Sequence, residues 1–246
     1  MVEEKMINKN HIVLEGIDGC GKSTFLEYLK NNGLKKSINP YVKNVEDVFG
    51  LYFDNSPYDK EVTASIRNLL KETDVDDPEK RNKELLELFC LDNRIHADAL
   101  NELFRAKQSL VVSDRYFMST YAYQSLNIPK EIVMDEINKS GVSLPGLVLY
   151  FDIDPKLSLE RVESRGENKE IFEKLETLTA VKENYMFYFK KLELLHSPTI
   201  IVLIDANKSI TEVRNAALRA IIDYLYIGKQ EMLKSTKYKV LNASSF

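Results

Sequence analysis

Glycines, a lysine and a serine at fixed spacing, Gly16-x-x-x-x-Gly21-Lys22-Ser23, describe a loop able to wrap a polyphosphate. Such a loop must aim several backbone N–H groups at one anion, which glycine-rich backbone does without steric conflict. Gly16, Gly19 and Gly21 supply that freedom, and Ile17, Asp18 and Cys20 complete the turn. A helix starting near Lys22 adds unpaired amides and the positive end of its dipole. The Lys22 ammonium then reaches the β/γ oxygens, the Ser23 hydroxyl is placed to ligate Mg2+, and Thr24 follows in the first turn. Residues 16–24 are therefore the candidate contacts to a nucleotide polyphosphate. The motif alone leaves kinase, GTPase and ATPase open.

A second constellation follows the apolar run Leu110–Val112: Asp114, Arg115, Tyr116, Ser119, Thr120, Tyr123 and Gln124. A buried strand here would deliver an acid and a base to its carboxyl end, facing the loop. Asp114 is a second candidate magnesium ligand, acting through water, and the planar fork of Arg115 suits two phosphate oxygens better than a lysine point charge does. The plain alternative is an ion pair that ends a strand.

These residues need elements to hold them. Apolar runs at Ile12–Leu14, Leu110–Val112, Leu147–Phe151 and Ile200–Ile204 alternate with helical patterns. The helices are expected at Lys22–Asn31, Ala64–Leu70, Lys80–Phe104, Ser119–Gln124, Lys130–Asn138, Pro155–Glu163, Glu170–Leu195 and Ile210–Tyr226. The segment Asn44–Lys60 reads as a strand with a loop over the site. An α/β fold follows, with a parallel sheet covered on both faces and ligands at its carboxyl ends.

The chain has 246 residues, 44% of them hydrophobic, which suits one domain with a sizeable core. Its formal net charge of −4 comes from interspersed acids and bases, so neither a nucleic-acid footprint nor a basic membrane-facing helix is expected. The first ten residues lack an apolar core, and no apolar run approaches the roughly 20 residues that span a bilayer, so a cytoplasmic location is expected. Cys20 and Cys90 have no metal or disulfide spacing and read as reduced thiols. His11, His96 and His196 likewise show no metal-ligand spacing and read as satisfied or exposed side chains.

Together the motifs resemble the thymidylate kinase family over roughly residues 10 to 225. The family's Glu-Gly-x-Asp-Gly-x-Gly-Lys-Ser-Thr is matched from Glu15 to Thr24, and its Asp-Arg-Tyr-x-x-Ser-x-x-Ala-Tyr-Gln from Asp114 to Gln124. A third match runs from Leu144-Pro145 through Asp152 and Asp154-Pro155 to Arg161 and Arg165-Gly166, with Gly146 where the family has Asp. The resemblance implies a P-loop NTPase three-layer sandwich with a short helical lid. It implies residues 1–228 as one nucleoside monophosphate kinase domain, the lid at about 161–175, and 229–246 as an extension of unknown role. The implied activity is transfer of the γ-phosphoryl of ATP to dTMP with Mg2+, by a homodimer. The alternatives are a kinase for another monophosphate such as dUMP or dCMP, and an ATP-binding module without turnover.

By the same resemblance, Asp18 contacts the acceptor's 3′-hydroxyl and Arg94, 21 positions before Arg115, contacts the base. Ser119, Thr120, Tyr123 and Gln124 line the base and deoxyribose, Tyr123 disfavouring a 2′-hydroxyl by bulk. In that scheme Asp18, Arg94 and Arg115 position the substrates, while Lys22, Mg2+, Arg161 and Arg165 stabilise charge on the transferring group; a solvated basic face is the plain reading of the last two. The family's Arg-Glu-Pro-Gly-Gly-Thr is Asn55-Ser56-Pro57-Tyr58-Asp59-Lys60 here, leaving Lys60 or Arg67 as substitutes for an absent arginine. Cys90 holds the position of the family's stacking Phe, and the substrate-binding candidate in its place is Phe89, which points about 100° away on a regular helix and would be brought back to the base by a local helix irregularity. Ile171 precedes Phe172-Glu173 where an arginine is common, leaving the work to Arg165 or Lys169. The aromatic run Tyr185 to Phe189 reads as helix core, outside the site, although Tyr185 coincides with a family lid-helix tyrosine.

Overall fold

Apolar runs become parallel strands here because both faces of each are covered. The computed structural model describes residues 7–32, 50–71, 76–106, 109–164, 174–195, 197–234 and 239–240. Its sheet has the order β2-β3-β1-β4-β5-β6, with strands β1 Ile7–Glu15, β2 Gly50–Asn55, β3 Ser109–Asp114, β4 Leu144–Asp152, β5 Ile200–Asp205 and β6 Lys239–Val240. The first five pair in parallel, and β6 runs antiparallel to β5. Ile12, Val13, Leu14, Val111, Val112, Leu147, Val148 and Leu149 are buried, the continuous apolar signature of a sheet sandwiched between helices.

Eight helices flank the sheet among the described residues: α1 Lys22–Asn32, α2 Lys60–Lys71, α3 Pro78–Ala106, α4 Phe117–Gln124, α5 Lys130–Lys139, α6 Pro155–Glu163, α7 Leu175–Leu194 and α8 Ile210–Lys234. Their order in the chain alternates with the strands, as an α/β sheet of crossover connections requires. The expected elements are present, several with longer bounds. α6 starts where the sequence says it should: Asp154 caps it, its carboxylate accepting from Lys156 N (2.8 Å) and Leu157 N (3.3 Å), with Pro155 in the first turn. A small satellite cluster of Val62, Ile66 and Leu85 joins α2 to α3.

One expectation meets a different outcome. The last helix does not end at Tyr226; α8 runs to Lys234 through Gly228, and Lys239–Val240 then lies on the β5 edge. A glycine inside a helix costs only about 1 kcal/mol, and an added strand pairs edge amides that would otherwise face outward. Gly146, at the family's Asp position, is where the Tyr224 hydroxyl approaches to donate to Lys9 O at 2.7 Å. A Cβ at 146 would lie 2.0 Å from that hydroxyl oxygen and 2.8 Å from the Lys9 backbone, so a larger side chain would displace this contact between α8 and β1. The expected lid falls mainly on residues 165–173, outside the described residues. No described helix is long and apolar enough to cross a membrane.

β1 buries a histidine. His11 Nε2 lies 2.7 Å from Ser113 Oγ, and the ring packs edge-on against Tyr116 with centroids 4.9 Å apart. Burial pushes its pKa down to about 3, against the opposing charge of Asp54, with His96 lowering it further. The unfolded chain therefore binds a proton the folded chain refuses, and stability falls as pH drops below 6.5. Between pH 7 and pH 5 this group should remove about 2 kcal/mol from the unfolding free energy. Denaturant unfolding of wild type and His11→Gln at both pH values checks it: the variant should lose that part of the slope, and an unchanged slope would contradict the assignment.

Candidate active site

The carboxyl ends of β1, β3 and β4 are neighbours in the sheet, and the turns after them carry the predicted residues. After β1 the chain enters the phosphate loop. Gly16 has φ +146, and a Cβ there would lie 2.8 Å from both Phe151 O and Cys20 Sγ, so only glycine fits against β4. Gly21 has φ +98, and nothing stands within 4 Å of where a Cβ would be, leaving its backbone open toward the loop's interior. Ile17 and Cys20 are buried and root the loop in the core. Lys22, also buried, donates from Nζ to Gly16 O (2.8 Å), Ile17 O (3.0 Å) and Cys20 Sγ (3.3 Å). Its ammonium is thus poised over the loop, and carbonyl partners are ones a phosphate oxygen can replace.

Ser23, next in α1, donates to Asp114 Oδ2 at 2.7 Å across 91 positions of sequence. Asp114 Oδ1 is buried without a hydrogen-bond partner among the described residues. A hydroxyl beside a carboxylate with a spare oxygen is the kind of hard-oxygen pair that binds a cation in company with phosphate oxygens and water. Thr24 follows on the exposed side of α1.

After β3 the chain makes a left-handed turn at Arg115, φ +70, a conformation that costs a non-glycine residue on the order of 1 kcal/mol or more. Three bonds hold it: Arg115 N donates to Leu14 O (2.9 Å), Tyr116 N to Glu15 Oε1 (3.0 Å), and Ser56 N to Asp114 O (3.0 Å). The turn sends the guanidinium back over β1. There Nη2 donates to Asp18 Oδ1 and to Tyr123 Oη (3.4 Å), while Nη1 donates to Gly16 O (3.2 Å), Ser119 Oγ (3.1 Å) and Tyr185 Oη (3.5 Å). Tyr123 Oη donates in turn to Asp18 Oδ2 at 2.7 Å. Burial alone would raise the Asp18 pKa, but the Arg115 and Lys22 charges and the Tyr123 hydroxyl hold it below the usual carboxylate range. Asp18 is a carboxylate beside a permanent cation.

The other predicted residues occupy a wider arc. Ser119 and Tyr123, four apart on α4, share the face toward Arg115, while Thr120 and Gln124 form the next stripe, where Asn93 Nδ2 donates to Thr120 Oγ1 at 3.2 Å. On α3, Arg94 is exposed and Nη2 donates to Lys139 O at the end of α5, 3.3 Å away, rather than joining the Arg115 cluster. Phe89 packs in the α2–α3 cluster, while Cys90 packs against the main core. α3 is continuous through both, so no irregularity turns Phe89 into the position of Cys90. Arg161, in the last turn of α6, donates to Ala206 O at 3.1 Å. Arg165, Lys169 and Ile171 lie outside the described residues.

Four residues join the site without having been expected there. Glu15 accepts from Tyr116 N, Ser119 Oγ (2.7 Å) and Tyr185 Oη (2.8 Å) while fully buried, and burial raises its pKa against the pull of Arg115 and the two hydroxyls. Its signal was an acid closing an apolar strand. Tyr185 is buried with Tyr188 and Phe189 of α7, as a helix-core reading expects, whereas Phe187 on the opposite face is exposed; the Tyr185 hydroxyl belongs to the site. Ser158 Oγ donates to Asp18 O, pinning α6 to the loop. Asp92, on α3, accepts from Tyr58 N and Asp59 N at 2.7 to 2.9 Å, and the Tyr58 ring stacks on His96, whose Nε2 lies 3.0 Å from Asp54 Oδ2. His96 is therefore a buried histidine with one ring nitrogen paired, while its Nδ1 has no hydrogen-bond partner among the described residues, so the expectation of a satisfied side chain is met only in part.

A loop for a triphosphate and an arginine clamp sharing Asp18 are what a nucleotide phosphotransferase needs, and comparison with known proteins names which one. The sequence model of the family described as thymidylate kinase matches residues 14–217. The chain belongs to the thymidylate kinase family. It is similar to a probable thymidylate kinase of Methanococcus maripaludis, 36% identical over 216 residues covering 86% of this chain and 94% of the relative. Probable thymidylate kinases of Archaeoglobus fulgidus (33% over 224 residues, 89% and 97%) and Methanococcoides burtonii (32% over 219 residues, 85% and 94%) are similar over the same extent. Membership makes the chain a nucleoside monophosphate kinase that uses ATP.

If the Lys22 ammonium, poised over the loop, meets the transferring phosphate, Lys22→Ala should lower ADP release at saturating substrates by roughly 10³-fold while the circular dichroism of the fold is kept. A variant that folds and retains more than about a tenth of wild-type turnover would contradict the placement.

Proposed function

We propose that this chain transfers the γ-phosphoryl of ATP to dTMP, giving dTDP and ADP on the route to dTTP. One observation carries the reading: the acid of the phosphate loop, Asp18, is joined to Arg115 at the end of β3, so a single loop serves donor and acceptor together.

The division of labour follows from charge and reach. Backbone amides of residues 16–21, with the α1 N-terminus, cradle the donor phosphates. Lys22 exchanges its carbonyl partners for β/γ oxygens. Asp18, ionised at neutral pH, takes the 3′-hydroxyl of the acceptor, and the Arg115 fork takes two oxygens of its phosphate. Tyr123 stands beside both and fills the space a 2′-hydroxyl would need. Arg94 presents a cation from α3 to the base, with Ser119, Thr120 and Gln124 as walls. Arg161 and Arg165 add positive charge from the segment after α6. Phosphoryl transfer asks for positioning and charge stabilisation rather than a general base, and these residues supply both.

Ser23 and Asp114 are the residues that would hold Mg2+, and the spare buried Asp114 Oδ1 fits a hard cation. When bound, the ion supplies charge neutralisation across the β- and γ-phosphate oxygens. The reading extends to a cytoplasmic homodimer, the family habit the resemblance implies; Leu91 on α3 and Ile132 on α5 are exposed apolar groups on adjacent elements.

A second acceptor, dUMP or dCMP, is favoured by one feature. The segment that carries an arginine in the family is Asn55–Lys60 here, with Asn55 Nδ2 donating to Pro57 O (3.1 Å), and Phe89 is engaged in the α2–α3 cluster. ADP release from ATP and Mg2+ with dTMP, dUMP, dCMP, UMP and dGMP offered separately decides, with Lys22→Ala as blank. Preferential turnover of dTMP is expected. Preferential turnover of another monophosphate would reassign the acceptor, and ATP binding without any turnover would make the chain a binding module.

A further inference from the structure

The chemistry assigned so far gives no part to Glu15, yet it is a fully buried carboxylate in the middle of the site. Its two oxygens accept from three donors on two other elements: Tyr116 N on Oε1, and Ser119 Oγ and Tyr185 Oη on Oε2. Those two hydroxyls are also acceptors for Arg115 Nη1. A hydroxyl has one hydrogen. The two hydroxyls also lie 2.7 Å apart, so one hydrogen goes to Glu15 Oε2 and the other is shared between Glu15 and the neighbouring hydroxyl; in either arrangement both oxygens keep lone pairs facing the guanidinium. Asp18 does the same on the other side, taking the Tyr123 hydrogen while Tyr123 Oη accepts from Nη2.

We infer that Glu15 is a positioning residue for the acceptor phosphate: it orients the hydroxyls of Ser119 and Tyr185 and the turn at Tyr116 so that Arg115 is held, fork outward, at one place over the loop. This rests on the proposed role of Arg115 toward the acceptor. Lys22, in contrast, takes its bonds from Gly16 O, Ile17 O and Cys20 Sγ, and none of these groups is hydrogen-bonded to the Glu15 side chain in the described network. The effect of Glu15 therefore falls more heavily on the acceptor half of the site than on the donor half.

Glu15→Gln isolates the idea because it keeps size and removes one acceptor. An amide has one acceptor oxygen and one donor group, whereas the Tyr116 amide and the Ser119–Tyr185 hydroxyl pair each need an acceptor. Turned one way, its NH2 confronts Tyr116 N–H; turned the other way, one hydroxyl can still donate to the other, but the second hydrogen must turn toward Arg115. Either arrangement leaves a buried donor unpaired or loosens the guanidinium.

The test is steady-state kinetics of wild type, Glu15→Gln, Tyr185→Phe and the double variant, with the monophosphate the wild type turns over best. Glu15→Gln should raise acceptor KM or lower acceptor kcat/KM by about 10-fold or more, with KM for ATP within about twofold of wild type. Tyr185→Phe alone should cost roughly three- to fivefold, and less than about twofold when added to Glu15→Gln, because the two share one path to Arg115. Parallel loss for ATP and acceptor, or multiplicative losses in the double variant, would overturn the inference. Thermal unfolding of the same four proteins gives a readout that needs no substrate. A non-additive shift in midpoint supports the shared network even if dTMP is not the acceptor, and an additive one refutes it.

Discussion

Much of this structure depends on a cation placed where the ends of two strands meet. Arg115 adopts a left-handed backbone and turns its guanidinium over β1, where a loop carboxylate, a loop carbonyl and three hydroxyls receive it. Burying such a cation is tolerable only when its donors are satisfied, and leaving one partner out would be costly. The satisfaction comes from β1 (Glu15, through Ser119 and Tyr185), from the loop (Gly16, Asp18), from α4 and from α7. Strand order makes this possible, because β3 and β4 lie on either side of β1 and their turns converge. The same loop that cradles phosphates is thereby tied to the residue proposed to hold the acceptor. Donor and acceptor sites are coupled by construction.

The acceptor side carries the individuality of this chain. The segment after β2 has no arginine, and its shape is set from α3: Asp92 takes the amides of Tyr58 and Asp59, and His96 stacks on Tyr58. A carboxylate on the amides that lead into α2 fixes the start of that helix in the way an N-terminal cap does. With that segment engaged in its own hydrogen bonds, the guanidinium of Arg115 becomes the principal fixed cation available to an acceptor phosphate near Asp18. Gly146 is a second departure with a visible reason, since the Tyr224 hydroxyl approaches where a side chain would stand.

What could be read from the chain alone follows the distance over which each feature acts. The phosphate loop was legible because its function is local backbone geometry written in glycines, and Ser23–Asp114 because both ends sit in recognisable motifs. Strand positions followed from apolar runs. Glu15 and Tyr185 were not legible as site residues, since their meaning lies in hydrogen bonds across 104 and 170 positions of sequence, which periodicity does not report. Phe89, expected at the base only if the helix were irregular, lies on a continuous helix and packs in the α2–α3 cluster, a placement set by neighbours on α2 that no motif spacing reveals. The end of α8 was misread because glycine weakens a helix without ending it. Arg94 and Arg161 bond to main-chain carbonyls of α5 and of the turn after β5, partners that no motif spacing reveals.

The central claim is that Arg115 is the acceptor-phosphate anchor, held in place by the buried network beneath it. Calorimetric titration of thymidine and of dTMP into wild type and Arg115→Ala addresses this directly, since the two ligands differ only in the phosphate. The account predicts that the variant loses affinity for dTMP by about 100-fold or more while thymidine binds as weakly to both proteins. Equal losses for the two ligands, or unchanged dTMP affinity, would contradict it.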